Sequence, residues 1–168
     1  MTVEATRRTI AVMLPLLGEE EAQAAADAVR SGWVAQGPRV ARFEAAFAER
    51  VGAAHGVAVS SCTTGLHLAL IAVGVQPGDE VIVPSLSFIA TANAVRYAGA
   101  TPVFADVELA TGNVTVETID RVRTARTRAV IAVHQGGVPL DLRPLRTATA
   151  EWGVALVEDA ACAAGSTV

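Results

Sequence analysis

The 168-residue chain is long enough for one folded domain and short for two. Charged residues make up 18% against 52% hydrophobic, which excludes an unstructured polar chain, and a net charge of −4 offers no basic surface to nucleic acid or an anionic membrane. All 13 basic side chains are arginine, so any chemistry that requires a lysine is excluded from these residues.

At the start of the chain, Arg7 and Arg8 precede an apolar run over 9–17 that resembles a secretory or twin-arginine signal. Pro15 interrupts that run, and Glu19, Glu20 and Glu21 stand where a small-residue cleavage site belongs. No apolar stretch approaches the roughly 20 residues a membrane span needs. The expected location is the cytoplasm, with Cys62 and Cys162 as reduced thiols; two cysteines so far apart form neither a disulfide scaffold nor a metal-ligand pattern.

The acids at 19–21, Arg30 and Gly32 set the polarity and end of a first helix. A second starts with Pro38 in its first turn and ends near Gly52, with Val40, Phe43, Phe47 and Val51 as its expected buried stripe. The loop between them, 31–37, carries Trp33 and Gly37. From Gly56 onward short apolar runs alternate with helical ones. Strands are expected at 57–59, 81–83, 101–105, 129–133 and 154–157. Helices are expected at 63–73, 88–97, 116–126 and 142–152. This order implies an α/β fold, a mostly parallel sheet with helices on both faces. The expected division is a helix and loop over 1–36, followed by an α/β domain over 37–168.

Ligands of open parallel sheets bind beyond the carboxyl ends of the strands, so the polar residues there carry the functional reading. Ser60, Ser61, Cys62, Thr63 and Thr64 lead into a helix. They suit either a phosphate held by hydroxyls and free N–H groups or ordinary capping. The glycine-rich dinucleotide fingerprint and the P-loop are both absent. Phe88, after the strand at 81–83, is placed either to stack on a flat ligand or to join the core. His134, after the next central strand, either contacts a ligand or caps backbone groups. Glu158 and Asp159 follow a buried strand, where carboxylates are costly unless paired or functional. Neighbours there point in opposite directions, and Asp159 is read as the inward one, suited to a cationic ring nitrogen.

These residues resemble the DegT/DnrJ/StrS sugar aminotransferases, pyridoxal phosphate (PLP) enzymes of fold type I, over the early part of their large domain. The resemblance is carried in order by residues 14–21, Ser31-Gly32-Trp33 with Gly37-Pro38, 61–70, 78–85, 99–103, Val133-His134 and Glu158-Asp159-Ala160-Ala161. It implies that Thr63 and Thr64 hold the PLP phosphate, that Phe88 stacks on its ring, and that Asp159 pairs with the protonated ring nitrogen. It places His134 and Cys162 close to the cofactor, and Trp33 and Gly37 at the sugar pocket, with no metal.

The implied reaction transfers an amino group from glutamate or glutamine to a nucleotide-linked keto-sugar, in antibiotic-sugar or polysaccharide biosynthesis. The implied partner is a second copy or a complementing chain. Such enzymes use a Schiff-base lysine that follows the last of these motifs, and this chain contains none, so it is expected to be part of an enzyme and inactive alone. The alternatives are a non-catalytic PLP-binding or dimerising remnant and a related PLP-type sugar dehydratase. A histidine in the lysine's place is excluded within the chain, since His55, His67 and His134 all precede that position.

Overall fold

The computed structural model describes residues 14–168. Arg7, Arg8 and most of the apolar run after them, with the signal-like reading they prompted, lie outside the described residues. The chain separates into two compact units, the first ending at Gly56 and the second spanning Val57–Val168. In the first unit the second helix lies with the first, Arg39 Nη1 donating to the Ala24 carbonyl at 3.4 Å.

In the first unit, α1 (Glu19–Arg30) begins where the Gly18 N–H donates to Glu21 Oε2 at 2.7 Å, satisfying a backbone donor at the helix start. Helix α2 (Pro38–Val51) opens with proline and is closed by Gly52 at φ 68°, a left-handed position that glycine takes without strain. Its apolar stripe is not buried: Phe43, Phe47 and Val51 are exposed, and Ala48 is the buried residue of the helix. Spacing at three and four residues establishes that a helix has an apolar face, but not what that face meets.

The second unit is the sheet domain. Its order is α3 (Cys62–Ala72), β1 (Glu80–Pro84), α4 (Ala90–Tyr97), β2 (Thr101–Ala105), α5 (Val116–Asp120), β3 (Thr127–Val133), α6 (Leu142–Trp152) and β4 (Ala155–Asp159). The four strands pair in the order β2-β1-β3-β4, all parallel. Side chains alternate across a strand, so the central strands feed two cores. Val81, Val83, Ala129 and Ile131 pack with Leu66, Leu70, Ala94 and Val95 of α3 and α4. Ile82, Val130 and Ala132 pack on the other face with Ile119 of α5 and Leu145 of α6. Both faces of β1, and of β3 from Ala129 to Ala132, are therefore dry, which is why they read as continuous apolar runs.

Three expected elements differ. Residues 57–59 form no strand, because a strand exists through its ladder and the sheet pairs β1 to β4 alone among the described residues. The expected helix over 116–126 stops at Asp120. Beyond it, Thr124 Oγ1 and the Arg126 guanidinium turn to the buried Glu80 carboxylate, and the Thr124 N–H donates to Thr127 Oγ1 at 2.9 Å. Side-chain bonds of this kind hold the backbone out of helix. Strand β4 runs two residues further than expected, making Asp159 its last residue.

Candidate active site

The carboxyl ends of the parallel strands are where the second unit gathers its polar groups. Helix α3 begins there with Ser61 as its cap, Ser61 Oγ accepting from the Thr64 N–H at 3.2 Å. Thr64 Oγ1 lies 3.1 Å from both Ser60 Oγ and Ser61 Oγ, so three hydroxyls cluster on the first turn. The N–H groups of Cys62 and Thr63 belong to that turn, whose donors have no acceptor within the helix.

Asp159 ends β4 beside this helix start and is 8% exposed. Its Oδ1 accepts from the Ala161 N–H at 3.0 Å and from the Cys62 thiol at 3.6 Å. Cys62 therefore joins the hydroxyl-lined turn to the carboxylate, across 97 positions of sequence. Cys62 is exposed as a residue, yet partial desolvation raises its thiol above the ordinary pKa; the Asp159 charge and hydrogen bond, with a smaller effect of Cys162, add to it. The thiol is held protonated, as a donor. Among the described residues no cation pairs with Asp159, and Oδ2 takes no hydrogen bond.

Cys162 is exposed on the turn after β4 and lies close enough to affect Cys62. Its carbonyl presses on Gly137, where an added Cβ would come within 2.9 Å at a φ of +85°. Phe88, which precedes α4, is 77% exposed. It is therefore no part of the core, one of the two roles open to it.

His134 is not in this group. Ala132 pairs with Glu158 and Val133 with Asp159, so His134 continues the face of Ala132 and Glu158. Its Nε2 bonds Glu158 Oε1 at 2.8 Å, and its Nδ1 accepts from the Leu140 N–H at 2.9 Å. The imidazole thus faces away from the Asp159 carboxylate. The sequence placed it at the proper strand end without fixing its face, which depends on the β3–β4 register.

Trp33 and Gly37 lie in the first unit. The indole N–H donates to the Gln36 carbonyl at 2.7 Å, folding the ring onto Gly37 so closely that a Cβ there would stand 2.2 Å from Nε1. Beside them is an open cavity of about 270 Å³ whose lining includes Arg39 and Arg42.

Cys62 was visible at the helix start, but its contact with Asp159 joins α3 to β4 and carries no local signal. Ser60 and Ser61 were visible as hydroxyls but not as partners of Thr64. Among the described residues, no group of histidine, cysteine and carboxylate side chains is placed to hold a metal, and no helix is long and apolar enough to cross a membrane.

The chain is similar to known proteins over nearly all of its described length. The chain is 46% identical over 154 residues to the spore coat polysaccharide biosynthesis protein SpsC of Bacillus subtilis, covering 92% of this chain and 40% of SpsC. The aminotransferase TlmJ of Streptoalloteichus hindustanus superposes with a TM-score of 0.85 at 47% identity, over 93% of this chain and 43% of TlmJ. NtdA of Bacillus subtilis, solved with bound cofactor PMP, gives a TM-score of 0.81 at 28% identity, over 92% and 38% of the two chains. The chain spans about two fifths of the length of these relatives. A family profile matches residues 15–168, nearly all that the structure describes, and by that match the chain belongs to the DegT/DnrJ/EryC1/StrS aminotransferase family.

Proposed function

We propose that these residues form the cofactor-holding part of a PLP-dependent enzyme that moves an amino group from glutamate or glutamine onto a keto-sugar nucleotide. The observation that carries the reading is Asp159, a buried carboxylate with no cationic partner among the described residues, beside a helix start lined with hydroxyls. A buried charge left unpaired is costly, and a protonated ring nitrogen would supply the missing cation. The neutral donor set on α3 suits a phosphate, because N–H groups and hydroxyls at a helix start bind an anion without a basic side chain. The two features fit the two ends of one PLP molecule. The bound PMP of NtdA, a form of the same cofactor, supports the choice of group.

When bound, PLP supplies the electron-withdrawing ring through which an amino group is taken from a donor and passed to a carbonyl acceptor. Thr63 and Thr64 hold the phosphate, and Asp159 keeps a proton on the ring nitrogen. The Cys62 thiol and the Ala161 N–H fix the direction of the carboxylate through Oδ1. Phe88, exposed next to the strand ends, covers one face of the ring, while Cys162 borders the site from the turn after β4. The cavity at Trp33 and Gly37 receives the sugar. A second copy or a complementing chain completes the site, in the cytoplasm. The lysine such chemistry uses is absent from these 168 residues and is supplied from outside them.

Equilibrium dialysis of the chain against PLP tests the binding. The wild type should retain the cofactor, and Asp159→Ala should weaken retention about tenfold or more, the loss expected for a charge-assisted bond. Failure of the wild type to retain PLP, or equal retention by the variant, would end the proposal. The absence of lysine favours a second reading, a PLP-binding module without chemistry. Amino transfer from glutamate to a keto-sugar nucleotide by the protein purified from its native source decides between the two.

A further inference from the structure

We propose that His134 is the positioning residue of Asp159: without touching the cofactor, it fixes the strand end that presents the carboxylate. The inference rests on the reading of Asp159 as the partner of the ring nitrogen.

Four hydrogen bonds meet at this one residue, its carbonyl accepting from the Gly137 N–H at 3.2 Å. Its main-chain N–H donates to the Asp159 carbonyl at 3.1 Å, the ladder bond that closes the Val133–Asp159 pair at the end of β4. Its Nδ1 accepts from the Leu140 N–H at 2.9 Å, so in the neutral ring the proton sits on Nε2. Nε2 then donates to Glu158 Oε1 at 2.8 Å. The ring is 5% exposed and cannot turn without losing both side-chain bonds. Leu140, which holds Nδ1, is itself part of the core between the sheet and α6.

Strand β4 has a ladder only on its β3 side among the described residues, so its last two residues depend on other restraints. Glu158 is held from one face by the imidazole. Asp159 is held from the other by Cys62 and Ala161, and through its carbonyl by His134 again. Adjacent strand residues point to opposite faces, so a rotation that frees Glu158 also swings the Asp159 carboxylate. The loop that carries the histidine is itself pinned: Asn113 Oδ1 accepts from the Gln135 N–H at 2.9 Å, and Asn113 Nδ2 donates to the Val138 carbonyl at 3.0 Å. The imidazole thus acts as a rigid strut between the core and the strand end.

The test uses the chain loaded with PLP carrying ¹⁵N in its ring, reading both the dissociation constant and the nitrogen chemical shift. His134→Asn keeps an acceptor near the position of Nδ1 and loses the donor to Glu158. His134→Gln keeps a donor near the position of Nε2. Glu158→Ala removes the partner from a half-exposed position and leaves the buried ring in place, so it folds even if a histidine variant does not.

His134→Asn and Glu158→Ala should each weaken PLP binding about fivefold to tenfold, the effect of one lost hydrogen bond. They should also move the nitrogen signal toward the unprotonated pyridine, with His134→Gln restoring part of both. Wild-type affinity and shift in Glu158→Ala and in a folded His134→Asn would overturn the inference. So would a lower melting temperature with affinity and shift unchanged, the mark of a purely structural role. A wild-type ring nitrogen that is unprotonated, or unaltered by Asp159→Ala, would overturn the Asp159 reading and this inference with it.

Discussion

Cys62 and Asp159 set the character of the site between them. A thiol is a weak donor, and this one is kept protonated by partial desolvation and by the carboxylate it faces. Alkylation proceeds through the thiolate, so Cys62 should react with iodoacetamide at pH 8 more slowly than a free cysteine, and Asp159→Asn should speed it. Site-resolved mass spectrometry reads both rates; equal rates with and without the carboxylate would contradict the contact. At Gly37 the limit is space, because the Trp33 ring lies where a Cβ would go. Gly37→Ala must displace the indole or the loop, at a cost of about 1–3 kcal/mol, read by denaturant unfolding and by Trp33 fluorescence. The inward burial of Asp159 at a strand end was legible from sequence, since adjacent strand residues face opposite ways. Its thiol partner was not, because that contact joins residues 97 positions apart. The face of His134 was equally hidden, as it follows from the pairing of β3 with β4.

Strands β1 and β3 carry the sheet; β1 throughout and β3 from Ala129 to Ala132 are sealed on both faces. Ile131 is fully buried in the core beneath α3 and α4, so Ile131→Ala should cost about 2–5 kcal/mol, measured as a shift in the denaturation midpoint at constant slope. At the opposite end of β1, Glu80 is bound by Thr124 and Arg126, and these bonds hold its carboxyl below the ordinary value, Thr124 contributing most. A carboxyl whose pKa is lower folded than unfolded contributes stability above the unfolded value of about 4.3, and that contribution is lost as pH falls through the folded value. Glu80→Gln should therefore flatten the acid limb of the stability curve below about pH 4.3, while a wild-type limb would show that these bonds contribute nothing. The same bonds explain why the expected helix over 116–126 was too long. Helical spacing continues past Asp120, yet residues 124–127 are recruited to satisfy Glu80, a demand set by tertiary structure. The strand expected at 57–59 failed for a related reason: apolar alternation proposes a strand, and only a neighbour makes one.

At the scale of the whole chain, large apolar side chains remain exposed, including Leu68 and Ile71 on α3, Tyr97 on α4 and Phe104 on β2. Strands β2 and β4 are the two edges of the described sheet. Unpaired edges and apolar surface favour association. The 168-residue chain should accordingly sediment as an oligomer or aggregate, and a single monomeric species melting cooperatively would contradict that expectation. The fold class followed from the alternation of apolar runs with helical spacing, and the order and spacing of motifs from residue 14 to Ala161 carried the family. The burial of α2 was not legible, because Phe43, Phe47 and Val51 show a face without naming what it meets. Whether the start of α3 and the end of β4 hold the two ends of one PLP molecule is decided by a crystal structure of the chain with bound PLP. The phosphate should lie against Thr63 and Thr64, and the ring nitrogen within hydrogen-bonding distance of Asp159. A cofactor bound elsewhere, or one whose ring nitrogen turns away from that carboxylate, would contradict this placement.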